Sequence, residues 1–505
     1  MPLIGLDIGT TGCKAILFSE DGNILASASH EYSIEIPHPG WAEQDIEKVW
    51  KLAEDTLRQV IKNAGHPSVT AIGLSVQGEA IVPVNARGQV LRPAILGMDT
   101  RTATQNRWLM NQFGGKGLFQ KTGMPIHTIN TLPKLLWIRE NEPETWHSAK
   151  HFYLYEDYFI NKLTGHSAIS QCLASRTQLF DLHQKHWAPS ILEVIDLPVE
   201  KLSLVYQSGY PVAPLKPDLA RSMGIPNRPV VTTGGHDQAC GALGVGLTRP
   251  GLAMVSTGTA EVVEIALDKP VLSDSIFQAN LSCYCHVIPD LYLMMTLNHS
   301  GGLLLRWYRD TFCQEEVHQA QHQGIDAYDM IIGDPNEALN ASPQPMLVLP
   351  HFAGSGTPAF DVTSRGAIVG LTFAARKQDI ARAIVEGLTY ELNINLEILR
   401  QSGVRINELR AIGGGARSKF WLQLKADITG TPVVRPAITE AACWGAALLA
   451  GQGAGLYPNA AQMVEKSVQW IERYTPDPIK MAAHQAHFHL YQQLYPVLKP
   501  INTRL

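Results

Sequence analysis

Two aspartates beside glycine-rich turns are the residues of this chain best suited to acid–base or metal chemistry. Asp237 closes the run from Arg228 to Asp237, in which an apolar strand enters a Gly-Gly loop and a small-residue helix follows. Ligands commonly bind at strand ends of α/β sheets, and a helix N-terminus favours an ionised carboxylate. The position therefore suits a proton acceptor, and an ordinary helix cap is the alternative.

Asp7 lies in the run from Leu3 to Phe18, where two apolar segments flank a Gly/Thr turn. This pattern predicts a β-hairpin whose tip offers N–H groups, hydroxyls and a lysine to phosphate. Asp7 is either a structural residue or a carboxylate that holds Mg²⁺ through water. A similar hairpin is predicted from Met254 to Ile265. Two such hairpins indicate a duplicated nucleotide-binding fold that closes on ATP from both sides.

Further polar and glycine-rich positions follow predicted strands. Gly413-Gly414-Gly415 is either a simple turn or a place where a nucleotide approaches the backbone closely. Four side chains are candidates for binding polyol hydroxyls, with loop ends or helix caps as the alternative: Gln77, Glu79, Asp99 and Arg101. His236 and His299 lack partner spacing and are predicted to be hydrogen-bonded loop histidines rather than metal ligands.

Transfer of a phosphoryl group to a hydroxyl requires a phosphate cradle, a divalent cation and a carboxylate near the acceptor oxygen. The P-loop pattern Gly-x4-Gly-Lys-Ser/Thr is absent, and so is the His-Arg-Asp loop of protein kinases. A phosphate-handling enzyme with this sequence therefore has to use another scaffold.

The segments around these residues predict an α/β fold that begins strand, strand, strand, helix, strand. The third strand is expected near residues 33–36, an amphipathic helix at 46–61 and a buried strand at 69–76. A long helix with an apolar stripe is predicted from Gln378 to Arg400, and a helical tail after Met481. Pro250 and Gly251 break the pattern, so the boundary between two domains is placed there, giving domains 1–248 and 249–505.

Bulk composition narrows the functional class. The chain has 505 residues, 45% of them hydrophobic and 17% charged, which is ordinary for a globular enzyme with two large cores. A formal charge of −5 without basic runs argues against nucleic-acid binding, and no apolar stretch predicts a membrane span. No signal peptide is visible, and seven dispersed cysteines suit a reducing cytoplasm.

The ordered motifs of the chain resemble those of the FGGY family of carbohydrate kinases, within the actin-like ATPase superfamily. The likeness spans nearly the whole length. Its motifs include Asp7-Ile8-Gly9-Thr10-Thr11, Pro39 to Asp45, Asp157-Tyr158, Lys162 to Gly165, Gly234 to Gln238, Ser256 to Thr259, Gly354 to Pro358, Ser364 to Gly366, Glu386 to Leu388, Gly413 to Arg417, and Glu440 to Ala447.

This resemblance implies two actin-like (ribonuclease H-like) domains, each a mixed five-stranded sheet flanked by helices, around a deep cleft. ATP and Mg²⁺ would bind mostly the second domain and the sugar mostly the first. By position, Asp237 is expected to be the general base, and Asp7 with Asp237 to hold Mg²⁺ through water. The remaining implied roles are the nucleotide site at Thr10, Thr11, Gly258, Thr259, Gly302, Gly414 and Gly415, and the sugar-binding loop at Gln77 and Glu79.

The sugar-binding loop is also where the chain departs from the family. Xylulokinases usually carry Gln-Met-His and glycerol kinases an Arg-Glu pair, whereas this chain has Gln77-Gly78-Glu79. A ketopentose such as xylulose or ribulose is the first expectation, and a tetritol, glycerol, a hexulose or another polyol stays open. The rival interpretation is a degenerate kinase that binds nucleotide and sugar and acts as a regulatory protein. Such a protein is expected to have lost the acid of the Gly-Gly-x-Asp loop, whereas this chain keeps it as Asp237. The chain is expected to act as a monomer or as a homodimer, and the sequence does not decide between the two.

Overall fold

Two seven-stranded sheets, each flanked by helices, organise the computed structural model of this chain. The structure describes residues 2–334, 337–338 and 342–505. The arrangement confirms the predicted two-domain α/β fold.

The two sheets share one core order of five strands, in which an antiparallel three-strand meander is followed by two parallel strands. In the first half this order is Ile24–Glu31, Gly12–Phe18, Leu3–Ile8, Ala71–Val76 and Val230–Thr232. In the second half it is Tyr292–Asn298, Glu261–Leu267, Leu252–Thr257, Glu408–Ile412 and Val433–Pro436. The duplication predicted from the two hairpins is therefore present in the topology.

The predicted count of five strands per sheet is too low, because each core gains two short additions. The first sheet adds Pro211–Pro214 at one edge and Gly235–His236 beside Ala71–Val76. The second adds Ser282–Cys285 and Trp470–Tyr474 at its two edges. Such short edge strands carry little periodicity of their own, so sequence patterns miss them.

The third strand of the first sheet was also predicted wrongly, at residues 33–36. The strand is Ile24–Glu31, which pairs antiparallel with Gly12–Phe18. Its exposure alternates along the chain because one face is covered and the other is open to solvent. Residues 33–36 are a connection with a single bridge, from Glu35 to Glu43.

The remaining strands form two-stranded ladders outside the main sheets: Glu43–Gln44, Val82–Val84, Ala94–Ile95, His151–Tyr153, Ile169–Ser170, Phe180–Asp181, His186–Trp187, Val205–Tyr206, Leu347–Leu349 and Ala367–Val369. The described helices are Ile46–Asn63, Ala103–Phe113, Gly115–Thr122, Thr131–Asn141, Pro143–Ser148, Tyr155–Thr164, Gln171–Ala174, Pro189–Val194, Pro217–Met223, Asp237–Gly244, Asp274–Gln278, Gly302–Phe312, Gln314–Gln323, Ala327–Ile332, Lys377–Gln401, Lys419–Thr429, Ala441–Gly453, Ala460–Ser467 and Pro478–Asn502, with 3-10 turns at Val199–Lys201 and Gly414–Arg417.

The long amphipathic helices form where their spacing predicts. Ile46–Asn63 begins after Asp45, whose side chain accepts the N–H groups of Glu47 and Lys48 and so caps the helix. Lys377–Gln401 and Pro478–Asn502 each run for 25 residues. The predicted apolar stripe of Lys377–Gln401 is buried at Ile384, Leu388, Leu392, Leu396 and Leu399.

Helix Ala441–Gly453 joins the two halves, because it comes late in the chain yet packs on the first sheet. A methyl group on Gly5 would lie 1.8 Å from the carbonyl oxygen of Cys443, and one on Gly445 would lie 1.9 Å from that of Cys240. Glycine thus allows the helix to lie directly against strand Leu3–Ile8 and helix Asp237–Gly244. The boundary at residues 248/249 remains a prediction.

All seven cysteines are free and buried, including Cys283 and Cys285 in one short strand. Among the described helices, none combines the length and the apolar character that crossing a bilayer requires.

Candidate active site

The first sheet brings Asp7 and Asp237 to the same edge. Asp7 and Gly235 are both in register with Ser75, one on each side of the strand that carries it. Two strand spacings put the Asp7 and Gly235 backbones roughly 10 Å apart. Asp237 follows Gly235 by two residues and opens the next helix. The two carboxylates therefore share one end of the sheet, as parallel strands require.

Asp237 occupies a turn shaped by the preceding glycines. A methyl group on Gly234 would lie 1.5 Å from the Leu74 carbonyl oxygen, so the chain crosses the neighbouring strand closely here. The Asp237 carboxylate accepts the Gln238 N–H at 2.7 Å and lies 3.1 Å from Nε2 of His236. Burial, and then the negative charge of Asp7, raises the pKa of Asp237 to about 7. A carboxylate with this pKa is matched to proton transfer near neutral pH.

Asp7 is held by one neighbour across the parallel ladder. The Ser75 hydroxyl donates to its Oδ1 at 2.6 Å. Burial raises the pKa of Asp7 to about 6, although the Ser75 bond and the charge of Lys14 both lower it. Two half-buried carboxylates with so few donors favour a bound cation, and Mg²⁺ accepts such oxygen ligands. Within the described ranges, no cluster of three or more His, Cys, Asp or Glu has metal-site geometry.

Gln77 connects the candidate sugar loop to the first hairpin. Its Oε1 accepts the Thr10 hydroxyl at 3.2 Å, and its Nε2 donates to Gln44 at 3.3 Å. Gln44 in turn accepts the Tyr155 hydroxyl and donates to the Thr10 carbonyl. This network holds the hairpin tip next to the loop that begins at Gln77.

Glu79 adopts a left-handed backbone conformation, with φ +61°. Such a conformation is uncommon for a non-glycine residue. Two buried donors, the Thr131 hydroxyl and Lys134 Nζ, bond its carbonyl oxygen at 3.1 and 3.0 Å. Its Oε1 accepts Nε of Arg176 at 2.7 Å and forms an ion pair with the same guanidinium. Sequence reasoning missed Arg176, because a lone arginine 97 residues from its partner belongs to no local pattern.

Asp99 lies in a buried network beneath the site. Its Oδ2 accepts the Ala42 N–H at 2.7 Å, and both oxygens are bonded by Arg101. The Arg101 guanidinium stacks 3.7 Å from the ring centre of Trp41 and 4.8 Å from that of Trp137. The Asp99 carboxylate is thus fully enclosed, and this arrangement favours the structural alternative over direct sugar binding.

A cavity of about 840 Å³ opens beside the second hairpin. Five of the seven predicted nucleotide-site residues line it: Gly258, Thr259, Gly302, Gly414 and Gly415. The other two, Thr10 and Thr11, lie on the first hairpin and are not among the residues described around this cavity. The second-half residues therefore come together in one place, and the first hairpin belongs to the other domain.

Backbone contacts bring the segments of this cavity together. The N–H groups of Gly301 and Gly302 donate to the carbonyls of Thr259 and Gly258 at 2.9 and 2.7 Å. Gly413 has φ +82°, and a methyl group there would lie 2.6 Å from the Thr257 carbonyl oxygen. Only glycine adopts this conformation so close to a neighbouring backbone without strain. The glycine loop is therefore pressed against the hairpin.

The cavity has aromatic and charged side chains in its lining that sequence reasoning did not find. Tyr328 and Trp421 line it together with three arginines, Arg306, Arg309 and Arg417, and three aspartates, Asp310, Asp326 and Asp329. The guanidinium of Arg309 lies 5.1 Å from the ring centre of Tyr328. Arginines attract phosphate and flat aromatic rings accommodate a base, so the lining suits a nucleotide.

The two isolated histidines differ in their surroundings. His299 Nδ1 contacts the Ala353 carbonyl at 3.3 Å, which confirms the prediction of a hydrogen-bonded loop histidine. His236 is buried, and burial lowers its pKa well below the usual range. It is therefore neutral, and its ring packs at 6.0 Å, edge to face, on Tyr284.

Comparison with known proteins gives full-length matches. The model of the FGGY family of carbohydrate kinases, N-terminal domain, matches residues 2–244, and that of the C-terminal domain matches residues 253–454. A xylulose kinase of Staphylococcus epidermidis is 30% identical over 505 residues, covering 100% of this chain and 98% of the relative.

Two further matches show the range of relatives. An autoinducer-2 kinase of Escherichia coli is 29% identical over 504 residues, covering 98% of this chain and 94% of the relative. A crystal structure of a xyloylose kinase from Brucella ovis superposes with a TM-score of 0.88 at 27% identity, covering 99% of this chain and 100% of that structure.

Proposed function

The chain belongs to the FGGY family of carbohydrate kinases, and we propose that it transfers the γ-phosphoryl group of ATP to a hydroxyl of a ketopentose, with xylulose the leading acceptor. Its activity as a sugar kinase follows from the family. The observation that carries the proposed chemistry is the pair Asp7 and Asp237 at one sheet edge. The full-length similarity to xylulose kinases supports the acceptor.

Asp237 acts in this proposal as the general base. Its carboxylate takes the proton of the acceptor hydroxyl as that oxygen attacks the γ-phosphorus, and the bond to the leaving β-phosphate oxygen of ADP breaks. The partly exposed carboxylate and its pKa of about 7 support this role. The neutral His236 next to it orients the carboxylate without competing as a cation.

The nucleotide binds the cavity beside the second hairpin. Gly258, Thr259, Gly302, Gly414 and Gly415 would contact the nucleotide through their backbones, because side chains do not block the approach there. We propose that Thr10 and Thr11, on the first hairpin, contact the terminal phosphate from the opposite domain.

Asp7 and Asp237 would hold Mg²⁺ through water. The residues fit the ion, since both carboxylates are half-buried and burial raises their pKa values, so that a cation would offset the cost of keeping them ionised. A bound Mg²⁺ neutralises charge on the transferred phosphoryl group. Asp7 keeps its side chain in place through Ser75.

The sugar would bind the loop from Gln77 to Glu79. Glu79 supplies a carboxylate to sugar hydroxyls, and Gln77 keeps the loop next to the phosphate-binding hairpin. Asp99, which was expected to bind sugar, acts in this proposal indirectly by holding Arg101 beneath the loop.

Three broader expectations accompany the proposal. Residues 1–248 and 249–505 would form the sugar-binding and ATP-binding domains. Seven free, buried thiols support a location in the reducing cytoplasm. The homodimer stays a prediction, which sedimentation of the purified chain would test.

A panel assay tests the proposed function. ADP release is measured with ATP, Mg²⁺ and each of xylulose, ribulose, fructose, glycerol, erythritol and gluconate. The expected result is the highest kcat/KM with xylulose. No sugar-dependent ADP release with any member, together with tight nucleotide binding, would instead favour the degenerate regulatory protein.

A further inference from the structure

Arg176 is a buried cation that the proposed mechanism does not use. It follows the short helix Gln171–Ala174 in the first half of the chain and is 2% exposed. A buried guanidinium is costly unless several partners satisfy it, so its contacts indicate what it is for.

Its first partner is the candidate sugar loop. Nε and Nη2 both bind Oε1 of Glu79, while Oε2 of Glu79 faces Gly97, where a methyl group would lie 3.5 Å away. Among the described residues, none donates a hydrogen bond to Oε2. One oxygen of Glu79 is therefore fixed by the arginine, and the other stays available to a donor.

Its other partners lie in the second half of the chain. Nη1 reaches Ser282 Oγ at 3.4 Å, a long distance for a hydrogen bond to oxygen, and Met295 Sδ at 3.3 Å. The guanidinium plane lies 4.7 Å from the ring centre of Tyr284, whose hydroxyl donates to Glu264 at 2.7 Å. Arg176 thus spans from the sugar loop to the edge strand of the second sheet.

The same tyrosine reaches the loop of Asp237. The His236 ring packs against Tyr284, and a methyl group on Gly78 would lie 2.9 Å from that His236 ring. Glu79, Arg176, Tyr284 and His236 therefore form one closed set of contacts around Gly78.

From this arrangement we propose that Arg176 is a positioning residue for acceptor recognition. It directs the free oxygen of Glu79 toward one hydroxyl of the sugar and anchors that orientation on Tyr284 of the second domain. The inference rests on the proposed function, and it identifies the acceptor as one that donates a hydrogen bond from that hydroxyl to a carboxylate.

The test compares Arg176→Lys, Glu79→Gln and the double variant with the wild type. Lysine keeps the charge but loses the planar, two-donor contact with Glu79 and the stacking on Tyr284. We expect the KM for the sugar to rise roughly tenfold, the effect of losing one good charge-assisted bond. The KM for ATP should stay within about twofold, and the double variant should be no worse than Glu79→Gln.

Monodeoxy analogues of the accepted ketose identify the hydroxyl. For one analogue, which lacks the hydroxyl bound by Glu79, the wild type and Arg176→Lys should have equal KM values. A general structural defect would raise the KM for every analogue and for ATP alike.

Arg410→Lys is the matched control. Arg410, in the middle of strand Glu408–Ile412, is also buried, bonds Glu408 at 3.1 Å and stacks 4.5 Å from the ring centre of Trp470. Its substitution should leave both KM values unchanged. If Arg176→Lys fails to fold, Glu79→Asp serves instead, since it withdraws the carboxylate and keeps the arginine.

Three results would overturn the inference. The first is an unchanged KM for the sugar in Arg176→Lys, or in Glu79→Asp where that variant replaces it. The others are additive effects on this KM in the double variant, and equal rises of the KM for the sugar and the KM for ATP. The failure of the proposed function looks different. In that case the wild type itself shows no sugar-dependent ADP release, and the inference falls with it.

Discussion

Asp7 and Asp237 lie at the carboxyl end of one sheet: Asp7 is near the end of one strand that flanks the strand of Ser75, and Asp237 directly follows the strand Gly235–His236 on its other side. The relationship is electrostatic as well as geometric, because the charge of Asp7 is the second-largest cause of the raised pKa of Asp237, after burial. Two such carboxylates can hold a cation, and one of them can accept a proton at neutral pH.

Asp237→Asn should lower kcat with the sugar about 100-fold or more, because the isosteric amide cannot accept the hydroxyl proton. Binding of sugar and of ATP, measured separately by calorimetry, should persist. Asp218→Asn is the control, since Asp218 also lies in the first turn of a helix but is exposed and pairs with Arg221. Turnover at the wild-type rate in Asp237→Asn would refute the assignment.

Gly258→Ala should raise the KM for ATP while leaving the melting temperature unchanged. No atom of the described residues lies within 4 Å of a methyl group at this position, so the fold accommodates it, yet Gly258 lines the nucleotide cavity. Gly117→Ala is the matched control, because its methyl group also meets no described atom and it lies in helix Gly115–Thr122. Identical ATP affinity in both variants would argue against the cavity as the nucleotide site.

Gly445→Val should destabilise the whole protein. Its side chain would collide with the Cys240 carbonyl oxygen, at 1.9 Å from the first added carbon, and force helices Ala441–Gly453 and Asp237–Gly244 apart. Overpacking typically lowers the free energy of unfolding by about 1–3 kcal/mol. Ala442→Val, at a partly exposed position of the same helix, should cost much less. Equal urea midpoints for the two variants would contradict the close contact.

Glu264→Gln should gain thermal stability relative to the wild type as the pH rises. Burial raises the pKa of Glu264 from 4.5 to about 8 in the folded protein. Between these values the folded state keeps a proton that the unfolded state has lost, so the wild type loses stability as the pH rises. Glutamine does not titrate and keeps an acceptor for the Tyr284 hydroxyl.

The difference in melting temperature between Glu264→Gln and the wild type should therefore grow from pH 5 to about pH 8 and level off above it. Scanning calorimetry over this range measures the difference. Exposed Glu144, changed to Gln, is the control and should show no such trend. A difference that stays constant or shrinks with rising pH would show that Glu264 is ionised in the folded protein.

Local sequence was sufficient for the two hairpins, the long helices and part of the candidate site, but not for the third strand or the short edge strands. The Gly/Thr turns between apolar runs marked both hairpins, and 3.6-residue spacing marked the helices at 46–63 and 377–401, because these signals lie within one segment. The five glycines and threonines that line the proposed nucleotide cavity, and the strand-end position of Asp237, followed from the same local patterns and from the family resemblance.

Only the tertiary structure decided which of these polar residues are enclosed by other side chains. Asp99 turned out to be enclosed by Arg101 and Ala42, and Glu79 turned out to be bound by Arg176 from 97 residues away. Helix Ala441–Gly453 and strand Leu3–Ile8, which pack against each other, are also far apart in the sequence. Burial and ion pairing depend on which segments meet when the domains pack, and local periodicity carries no record of such distant partners.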